Sequence, residues 1–222
     1  MRINKLVCPS KFMFARRDLK GAGLKILDIG CGNNSPTVTK HWFPGSYYAG
    51  ADIEDYNNTP DDYKTMDIFY PLGYDGSGYE AIPDGEFDFI ILHHVIEHMP
   101  DPAPILTKIC SKLKPGGYIW IAFPSLRSLS LPSGTGCLQF CDDDTHVRLP
   151  DIREVTNILL INDVKVTHAG HSRPFVRVLL GAAMLPVVFI RKLFTGKLAG
   201  GGPIWYVLGF EDHVYGQRRI RK

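Results

Sequence analysis

The chain has 222 residues, of which 45% are hydrophobic and 22% charged, and its 25 Lys and Arg residues nearly balance 23 Asp and Glu residues. This is the composition of an ordinary globular protein, and a chain of this length can form a core without disulfides or structural metals. Length and composition therefore exclude the mini-protein classes and predict one domain.

Charge is distributed unevenly along the chain. Residues 1–25 contain seven Lys or Arg residues and one acidic residue. Residues 26–170 contain nine Lys or Arg and 20 acidic residues, and residues 171–222 contain nine Lys or Arg and two acidic residues. The basic ends favour an anionic partner such as phospholipid headgroups, nucleic acid or a phosphorylated substrate. Alternatively, they fold back onto the acidic middle, and the sequence leaves both interpretations open.

Short apolar segments alternate with a helical pattern in the first half of the chain. Apolar runs rich in β-branched and aromatic residues predict buried strands at 24–29, 47–53, 87–92 and 117–123. Residues 102–113 place apolar side chains at helical spacing and predict a helix. Strands that alternate with helices predict right-handed crossovers and a parallel sheet.

A long irregular segment, 124–150, precedes a predicted helix at 151–161 and a predicted strand at 164–169. Connections of about 27 residues without secondary structure are unusual in compact domains and are more often functional than accidental. We therefore expect this segment to border the functional site.

An apolar segment, 178–190, consists of 13 consecutive apolar or small residues. A helix of this length rises about 20 Å, less than the bilayer core of about 30 Å, and Pro186 interrupts it. We do not expect it to span a membrane. It is either a buried helix or lid, or a peripheral contact with a membrane surface. Strand character resumes at 204–210.

Cysteine usage and the first residues predict the compartment. The five cysteines are odd in number, show no disulfide framework, and residues 1–17 lack the apolar core of a signal peptide. We expect a cytoplasmic protein, peripheral to the inner membrane surface if 178–190 makes the membrane contact. Cys137 and Cys141 with His146 fit no zinc spacing, so we predict no metal site.

The segment after the first strand is the most informative, and reads Asp28, Ile29, Gly30, Cys31, Gly32, Asn33, Asn34, Ser35. Glycines let the backbone turn sharply and let a ligand approach closely. Asp52, 20 residues after Gly32, is placed to bind ribose hydroxyls. An NAD-dependent oxidoreductase is the rival interpretation. Ser35 departs from its fingerprint, and the carboxylate of Asp28 would repel a pyrophosphate but suits a cationic ligand group.

This segment resembles motif I, D/E-x-G-x-G-x-G, of the class I S-adenosylmethionine-dependent methyltransferases. FDFIILHHVIEHMPDP at 87–102 resembles the fourth-strand motif of that family, and LKPGGYIWIAFPS at 113–125 resembles its turn into strand five. Asn34 replaces the third glycine of motif I. Because Asn tolerates left-handed backbone conformations, we expect cofactor binding to survive.

The resemblance implies an α/β, Rossmann-like, doubly wound fold with a mostly parallel seven-stranded sheet, an antiparallel last strand and helices on both faces. It implies S-adenosyl-L-methionine as cofactor and one domain: a basic segment (1–23), a cofactor-binding core (24–170), an apolar lid or interfacial segment (171–203), and a last strand with a basic tail (204–222). The expected cofactor-binding residues are Asp28, Gly30, Cys31, Gly32, Asn33, Asp52, Ile53, Asp67, Ile68 and His93. Asp28 would help hold the cationic end of the cofactor through the loop, Asp52 its ribose and Asp67 its adenine.

Methyl transfer from a sulfonium depends mainly on alignment, and a general base adds roughly 10² to 10⁴ in rate when the acceptor is a hydroxyl. Histidine suits this role. His94, after the fourth strand, and His146, in the long segment, are the expected catalytic residues, and Arg148 is expected to contact the substrate; each has a structural alternative. His98 lies in a sequence that the family shares, and we interpret it as structural.

The acceptor is predicted less sharply. The residues after the fourth strand lack the Asn/Asp-Pro-Pro-Tyr pattern of DNA and glutamine methyltransferases, which disfavours an adenine or amide acceptor. We expect a small-molecule or lipid-like acceptor, as in quinone-biosynthesis methyltransferases, and no nucleic acid, because no stacking platform is evident. The alternative is a catalytically silent module that binds membrane or nucleic acid through its basic ends. The sequence does not determine the oligomeric state.

Overall fold

A computed structural model describes residues 7–56, 64–131, 138–195 and 207–220. Its centre is a seven-stranded sheet with the order β3-β2-β1-β4-β5-β7-β6. The strands are β1 (Lys25–Ile29), β2 (Tyr47–Asp52), β3 (Ile68–Pro71), β4 (Phe87–His93), β5 (Leu113–Pro124), β6 (Val164–His171) and β7 (Glu211–Arg218). Strands β1 to β5 pair in parallel, and β7 pairs antiparallel with β5 and β6. The predicted sheet is confirmed.

Helices cover both faces of the sheet. They are α1 (Ser10–Met13), α2 (Ala15–Asp18), α3 (Ser35–Trp42), α4 (Pro102–Lys112), α5 (Ile152–Ile161) and α6 (Phe175–Thr195). Leu106 of α4 and Val155 of α5 share an apolar cluster with Ile90 of β4. Phe12 of α1 shares a second cluster with Ile91 of β4. Because successive strand residues point to opposite faces, the two clusters form the two layers of the core.

Caps fix the starts of two helices near the site. Oδ1 of Asp101 accepts the N–H of Ala103 at 3.1 Å before α4, and Oδ1 of Asp151 accepts the N–H of Arg153 at 2.7 Å before α5. Such caps satisfy donors that have no partner within the helix. Both predicted helices are confirmed within a residue of their expected bounds.

The basic N-terminal segment folds back onto the rest of the domain. Phe12 is fully buried, and the ring of Phe14 stacks on Trp120 with centroids 5.9 Å apart. Nζ of Lys11 lies 3.2 Å from Oδ2 of Asp28. Of the two interpretations of this end, the structure supports the one in which its charge pairs with the acidic middle.

The last strand lies later in the chain than predicted. Of the predicted stretch 204–210, residues 204–206 lie outside the described ranges, 207 and 208 are helical, and β7 begins at Glu211. The sequence of β7, EDHVYGQR, is too polar to predict as a buried strand. It is nevertheless held between β5 and β6, where the ring of His213 stacks on Trp120 with centroids 4.5 Å apart.

The apolar segment 178–190 belongs to α6, a single helix that continues through Pro186. Among the α6 residues whose side chains are described, only Gly181 and Val188 are buried. The interpretation as a buried helix is therefore wrong, and so is the expected interruption at Pro186. The described ranges contain no helix with the length and apolarity needed to cross a bilayer.

Candidate active site

The carboxyl ends of β1, β2 and β4 meet at one edge of the sheet, and the glycine loop follows β1 there. Gly30 has a φ of 68°, and a Cβ at this position would overlap Cγ2 of Val95. Gly32 has a φ of 53° and open space where a Cβ would stand. A neighbouring side chain therefore requires glycine at position 30, and the backbone at position 32 is open to a ligand.

Asn34 adopts the left-handed conformation predicted for it. Its φ is 66°, and α3 begins at the next residue. Asn tolerates this region better than most residues, so it can replace the third motif glycine. Cys31 is buried in the same loop, whereas Asn33 is exposed.

Asp52 ends β2 and fixes the glycine loop. Its Oδ2 accepts the N–H of Gly32 at 2.9 Å, and its Oδ1 accepts the N–H of Ile53 at 2.8 Å. Burial raises the pKa of Asp52, and these two backbone hydrogen bonds partly offset that rise. Each carboxylate oxygen can accept a further hydrogen bond, so Asp52 and the open backbone at Gly32 fit a ribose.

Asp28 is surrounded by donors from the protein itself. Its Oδ2 accepts hydrogen bonds from Oγ of Ser35 at 2.6 Å, from the hydroxyl of Tyr48 at 3.1 Å and from Nζ of Lys11 at 3.2 Å. With 1% of its surface exposed, Asp28 ties α1, α3 and β2 to the base of the glycine loop. Its effect on the cationic end of a ligand, through the loop, stays a prediction.

Asp67 stands at the opposite end of its strand from the site. β3 runs parallel to β2, so Asp67 and Ile68 lie at the amino end, about 13 Å from the carboxyl edge. The carboxylate of Asp67 accepts the N–H of Tyr48 at 2.7 Å and pairs with Nζ of Lys40 at 2.6 Å. The structure therefore does not bring Asp67 and Ile68 to the glycine loop, and their role at the adenine stays a prediction that this placement does not support.

Two histidines at the end of β4 enclose a buried carboxylate. Oε2 of Glu211 lies 3.1 Å from Nε2 of His93 and 3.2 Å from Nε2 of His94. Nδ1 of His94 lies 3.0 Å from Oε1 of Glu97. Both glutamates are fully buried, and His94 has a φ of 58°. Each ring nitrogen of His94 therefore faces a carboxylate.

These carboxylates determine the charge of the histidines. Burial lowers the pKa of His94, but hydrogen bonds and charge from Glu211 and Glu97 outweigh burial and raise it to about 10. Burial holds the pKa of His93 below its ordinary value, although Glu211 acts in the opposite direction. Burial also opposes ionisation of Glu211, but its hydrogen bonds to the two histidines leave the pKa of Glu211 below its ordinary value. At neutral pH, His94 is a cation without a lone pair, and His93 is neutral.

His94 and Glu97 line a cleft of about 630 Å³. The segment 124–150, predicted to border the functional site, supplies much of the rest of the lining, and residues that line the cleft include His98, Phe140, Asp143, His146 and Phe210. The ring of Phe210 stacks on that of His94 with centroids 5.8 Å apart. Apolar rings and ionisable groups thus share one cavity.

His146 has a tautomer that its surroundings define. Its Nδ1 lies 2.8 Å from the carbonyl oxygen of Phe140, which can only accept, so Nδ1 carries the hydrogen. In the neutral ring Nε2 then holds the lone pair, and Oδ2 of Asp143 lies 3.7 Å from it. A proton gained at Nε2 would be stabilised by this carboxylate.

The partners of the Arg148 side chain are groups that do not line the cleft. Its guanidinium pairs with Glu154 of α5 and donates to the carbonyl oxygen of Pro100 at 3.3 Å. Arg148 is not among the residues that line the cleft. This side chain links the 124–150 segment to α5, and the substrate contact of Arg148 stays a prediction that its present partners do not support.

Two groups of side chains bring their ligand atoms within 4.8 Å of one another and could hold a metal ion: His93, His94 and Glu211, and Glu97, His98 and His146. In the second group, Nδ1 of His98 lies 3.0 Å from Oγ1 of Thr145. Cys137, considered with Cys141 as a ligand, lies outside the described residues. The prediction of no metal stays a prediction.

Sequence reasoning missed three residues at this edge. Glu211 lies 117 positions after His94, and no local pattern connects the two. Lys11 was considered only as part of a basic segment. Leu72 follows β3 at the carboxyl edge, where its N–H donates to the carbonyl oxygen of Asp52 at 2.8 Å. A correct position for β7 would have indicated Glu211, which pairs with Pro124 at the end of β5.

Residues 5–169 match a family described as a methyltransferase domain. Among curated proteins, the ubiquinone biosynthesis O-methyltransferase of Thiobacillus denitrificans is 31% identical over 109 residues, 48% of this chain and 46% of that protein. The enzyme of the same name from Methylococcus capsulatus is 29% identical over 120 residues, 52% of this chain and 50% of that protein. The chain thus spans about half the length of these curated relatives.

Solved structures share the fold. A SAM-dependent methyltransferase from Archaeoglobus fulgidus has a TM-score of 0.58 at 18% identity, covering 94% of this chain and 92% of that one. Phosphoethanolamine N-methyltransferase 2 of Haemonchus contortus, in complex with S-adenosyl-L-methionine, has a TM-score of 0.63 at 14% identity, covering 95% of this chain and 52% of that one. At these identities the likeness shows the architecture alone.

Proposed function

Because this chain belongs to the methyltransferase-domain family, we propose that it is an enzyme that transfers the methyl group of S-adenosyl-L-methionine to a small-molecule or lipid-like acceptor. The observation that carries the proposal is that two sites adjoin at one sheet edge: the glycine loop closed by Asp52, and the cleft beside His94. Val95 joins them, because it follows His94 and packs against Gly30. A ligand at the loop therefore borders the cleft.

The glycine loop and Asp52 would hold the cofactor. Backbone from Gly30 to Asn33, with Cys31 between them, would bind one side of it, and Asp52 would accept hydrogen bonds from the ribose. Ile53 and His93 flank these groups at the carboxyl ends of β2 and β4. The adenine would lie toward Leu72 rather than Asp67. When bound, S-adenosyl-L-methionine supplies an electrophilic methyl group on a sulfonium.

The residues of the cleft align and activate the acceptor. Alignment alone can supply most of the acceleration, equivalent to roughly 10⁵ to 10⁸ M in effective concentration. Nε2 of His146 accepts the proton of an acceptor hydroxyl, and the carboxylate of Asp143 stabilises the imidazolium that forms. Both N–H groups of His94 are already engaged by Glu97 and Glu211, so His94 fixes the shape of this wall rather than activating the acceptor.

The composition of the cleft supports the acceptor class. Its volume of about 630 Å³ is in the range of small-molecule sites, and Phe140, Phe210 and Leu138 give it apolar surface. The O-methyltransferase names of the curated relatives agree with an oxygen acceptor. Bases near the chain ends are engaged within the fold: Lys11 contacts Asp28, and Arg218 donates to backbone carbonyl oxygens. This argues against a silent module that binds nucleic acid through these ends.

Transfer of radioactive methyl from S-adenosyl-L-methionine to a panel of phenols, catechols, quinone precursors and extracted lipids tests the proposal. We expect labelled product in the organic phase with at least one of these classes. Label in protein or nucleic acid instead would overturn the acceptor class. If S-adenosylhomocysteine binds but no acceptor is labelled, the silent module becomes the better account.

A further inference from the structure

Helix α6 exposes an apolar surface that the described residues of the domain leave uncovered. Its exposed large apolar side chains include Phe175, Leu179, Leu180, Phe189, Ile190 and Phe194. Phe194 is 86% exposed and Phe175 72%. Continuous apolar surface of this extent marks an interface with another molecule or a membrane.

The exposed surface extends around most of the helix. Gly181 and Val188, which are buried, lie seven residues apart and therefore on one side, toward the domain. Neighbouring pairs such as Leu179 with Leu180, and Phe189 with Ile190, are exposed together. Helices that pack on one protein partner bury a single stripe of roughly 100° or more. A surface this wide is better covered by a fluid apolar layer than by one partner face.

The basic residues in and around α6 favour a bilayer that contains anionic lipids. Residues 164–210 contain six Lys or Arg and no Asp or Glu. Arg173 and Arg177 come before the apolar centre of the helix in the sequence, and Arg191 and Lys192 come after it. An apolar centre with basic residues at both ends complements a bilayer surface that contains anionic phospholipid headgroups.

The position of α6 connects this surface to the cleft. β6 ends and β7 begins at the edge where β5 ends, because His171 pairs with Asp212 and Glu211 pairs with Pro124. α6 follows β6 at this edge, and the chain returns to the edge at Phe210, which lines the cleft. The segment that would meet a bilayer is therefore inserted beside the acceptor cleft.

We propose that α6 docks the protein on the surface of an anionic phospholipid bilayer, and that docking brings the cleft to the headgroup layer, where a membrane-dissolved acceptor can enter. The first half of this proposal stands on the exposed helix and its charge. The second half rests on the proposed methyltransferase function.

Co-sedimentation with vesicles tests the docking. The wild-type protein is mixed with vesicles of phosphatidylcholine alone or with added phosphatidylglycerol, at low and high salt. The double variant Leu179→Glu/Phe189→Glu places two charges on the exposed surface of α6. Ile161→Glu is the matched control, because Ile161 is an 83% exposed apolar residue at the end of α5. Circular dichroism and thermal unfolding verify that each variant folds.

We expect binding to the phosphatidylglycerol vesicles that weakens at high salt, falls at least about tenfold in the double variant and is retained by Ile161→Glu. Equal binding by the double variant and wild type, or no binding by either, would overturn the proposal. Sedimentation velocity distinguishes a further outcome. If wild type and Ile161→Glu are dimers, the double variant is a monomer and none of them binds vesicles, the exposed surface of α6 is an interface with a second copy of the chain instead. Titration with S-adenosylhomocysteine needs no vesicles, so failure of docking is distinguishable from failure of the proposed function.

Discussion

His94 is held as a cation between Glu97 and Glu211, and this defines what it can do. A ring whose two N–H groups donate to carboxylates cannot accept a proton, so we assign His94 a structural role in the cleft wall and not the role of a base. Since its pKa is raised from 6.5 to about 10, the stabilisation from this ion cluster is complete below pH 6.5 and is lost as pH rises toward 10.

Denaturant unfolding of wild type and His94→Gln between pH 6 and 10 measures this contribution. We expect wild type to be more stable by about 2 kcal/mol at pH 6, with the difference shrinking steadily toward pH 10. Titrating groups that do not contact His94 are common to both proteins and cancel in the comparison. A difference independent of pH would show that His94 is not charged in the folded state.

His146 is the base in the proposed reaction, because its Nε2 retains a lone pair. His146→Ala is expected to lower kcat by roughly 10² to 10⁴ at neutral pH and to leave the Kd for S-adenosylhomocysteine nearly unchanged. His41→Ala, at an exposed position of α3, is the control. Wild-type kcat in His146→Ala with a hydroxyl acceptor would remove His146 from the chemistry.

The positions of residues at a strand end or a turn could be predicted from the sequence. The positions of residues that only the tertiary structure brings together could not. Asp52 and Asn34 stand at the positions that their sequence neighbours imply, since a strand end and a turn are local features. The position of Asp67 could not be predicted, because sequence alone does not say at which end of β3 it stands. Glu211 was missed because β7, which carries it, has a polar sequence.

At the level of elements, the contact between the glycine loop and the turn after β4 is the tightest constraint on the site. Gly30 has a left-handed φ, and any Cβ there would overlap Val95. We expect Gly30→Ala to lower the free energy of unfolding by at least about 1 to 2 kcal/mol and to weaken S-adenosylhomocysteine binding. Thermal unfolding and calorimetry measure these two effects.

The double variant Gly30→Ala/Val95→Ala separates the two causes of that loss. Shortening Val95 removes the overlap but leaves the backbone strain, so we expect partial recovery of stability relative to Gly30→Ala. No recovery would mean that φ alone requires glycine. Recovery beyond the Val95→Ala single variant would contradict the strain at position 30.

Elements with strong local patterns were predicted within a few residues. The apolar runs of β1, β2 and β4 and the periodic helices α4 and α5 specify their own structure through burial and spacing. The exposure of α6 could not be predicted, because a run of apolar residues looks the same whether a core, a lid or a membrane covers it. Only the tertiary structure shows that most of this helix is uncovered by the part of the chain that the structure describes.

For the molecule as a whole, the order of strands brings the functional groups together. The order in which strands are added to the sheet reverses between β1 and β4, and such a point opens a crevice at the carboxyl ends of the strands. The glycine loop, Asp52 and the two histidines at the end of β4 meet there. The antiparallel β7 adds Glu211 to this edge, and α6 is inserted beside it. The proposed cofactor, acceptor and membrane sites therefore all lie at or beside one edge of the sheet.

The most direct test of the central claim is calorimetric titration of the purified protein with S-adenosylhomocysteine, together with Asp52→Ala and Asp67→Ala. We predict micromolar binding that weakens by about 1.5 to 3 kcal/mol in Asp52→Ala, as expected for lost hydrogen bonds to a charged group. Asp67→Ala should bind like wild type, because Asp67 lies at the far end of β3. No binding at millimolar ligand, or a loss in Asp67→Ala that Asp52→Ala does not show, would contradict the account.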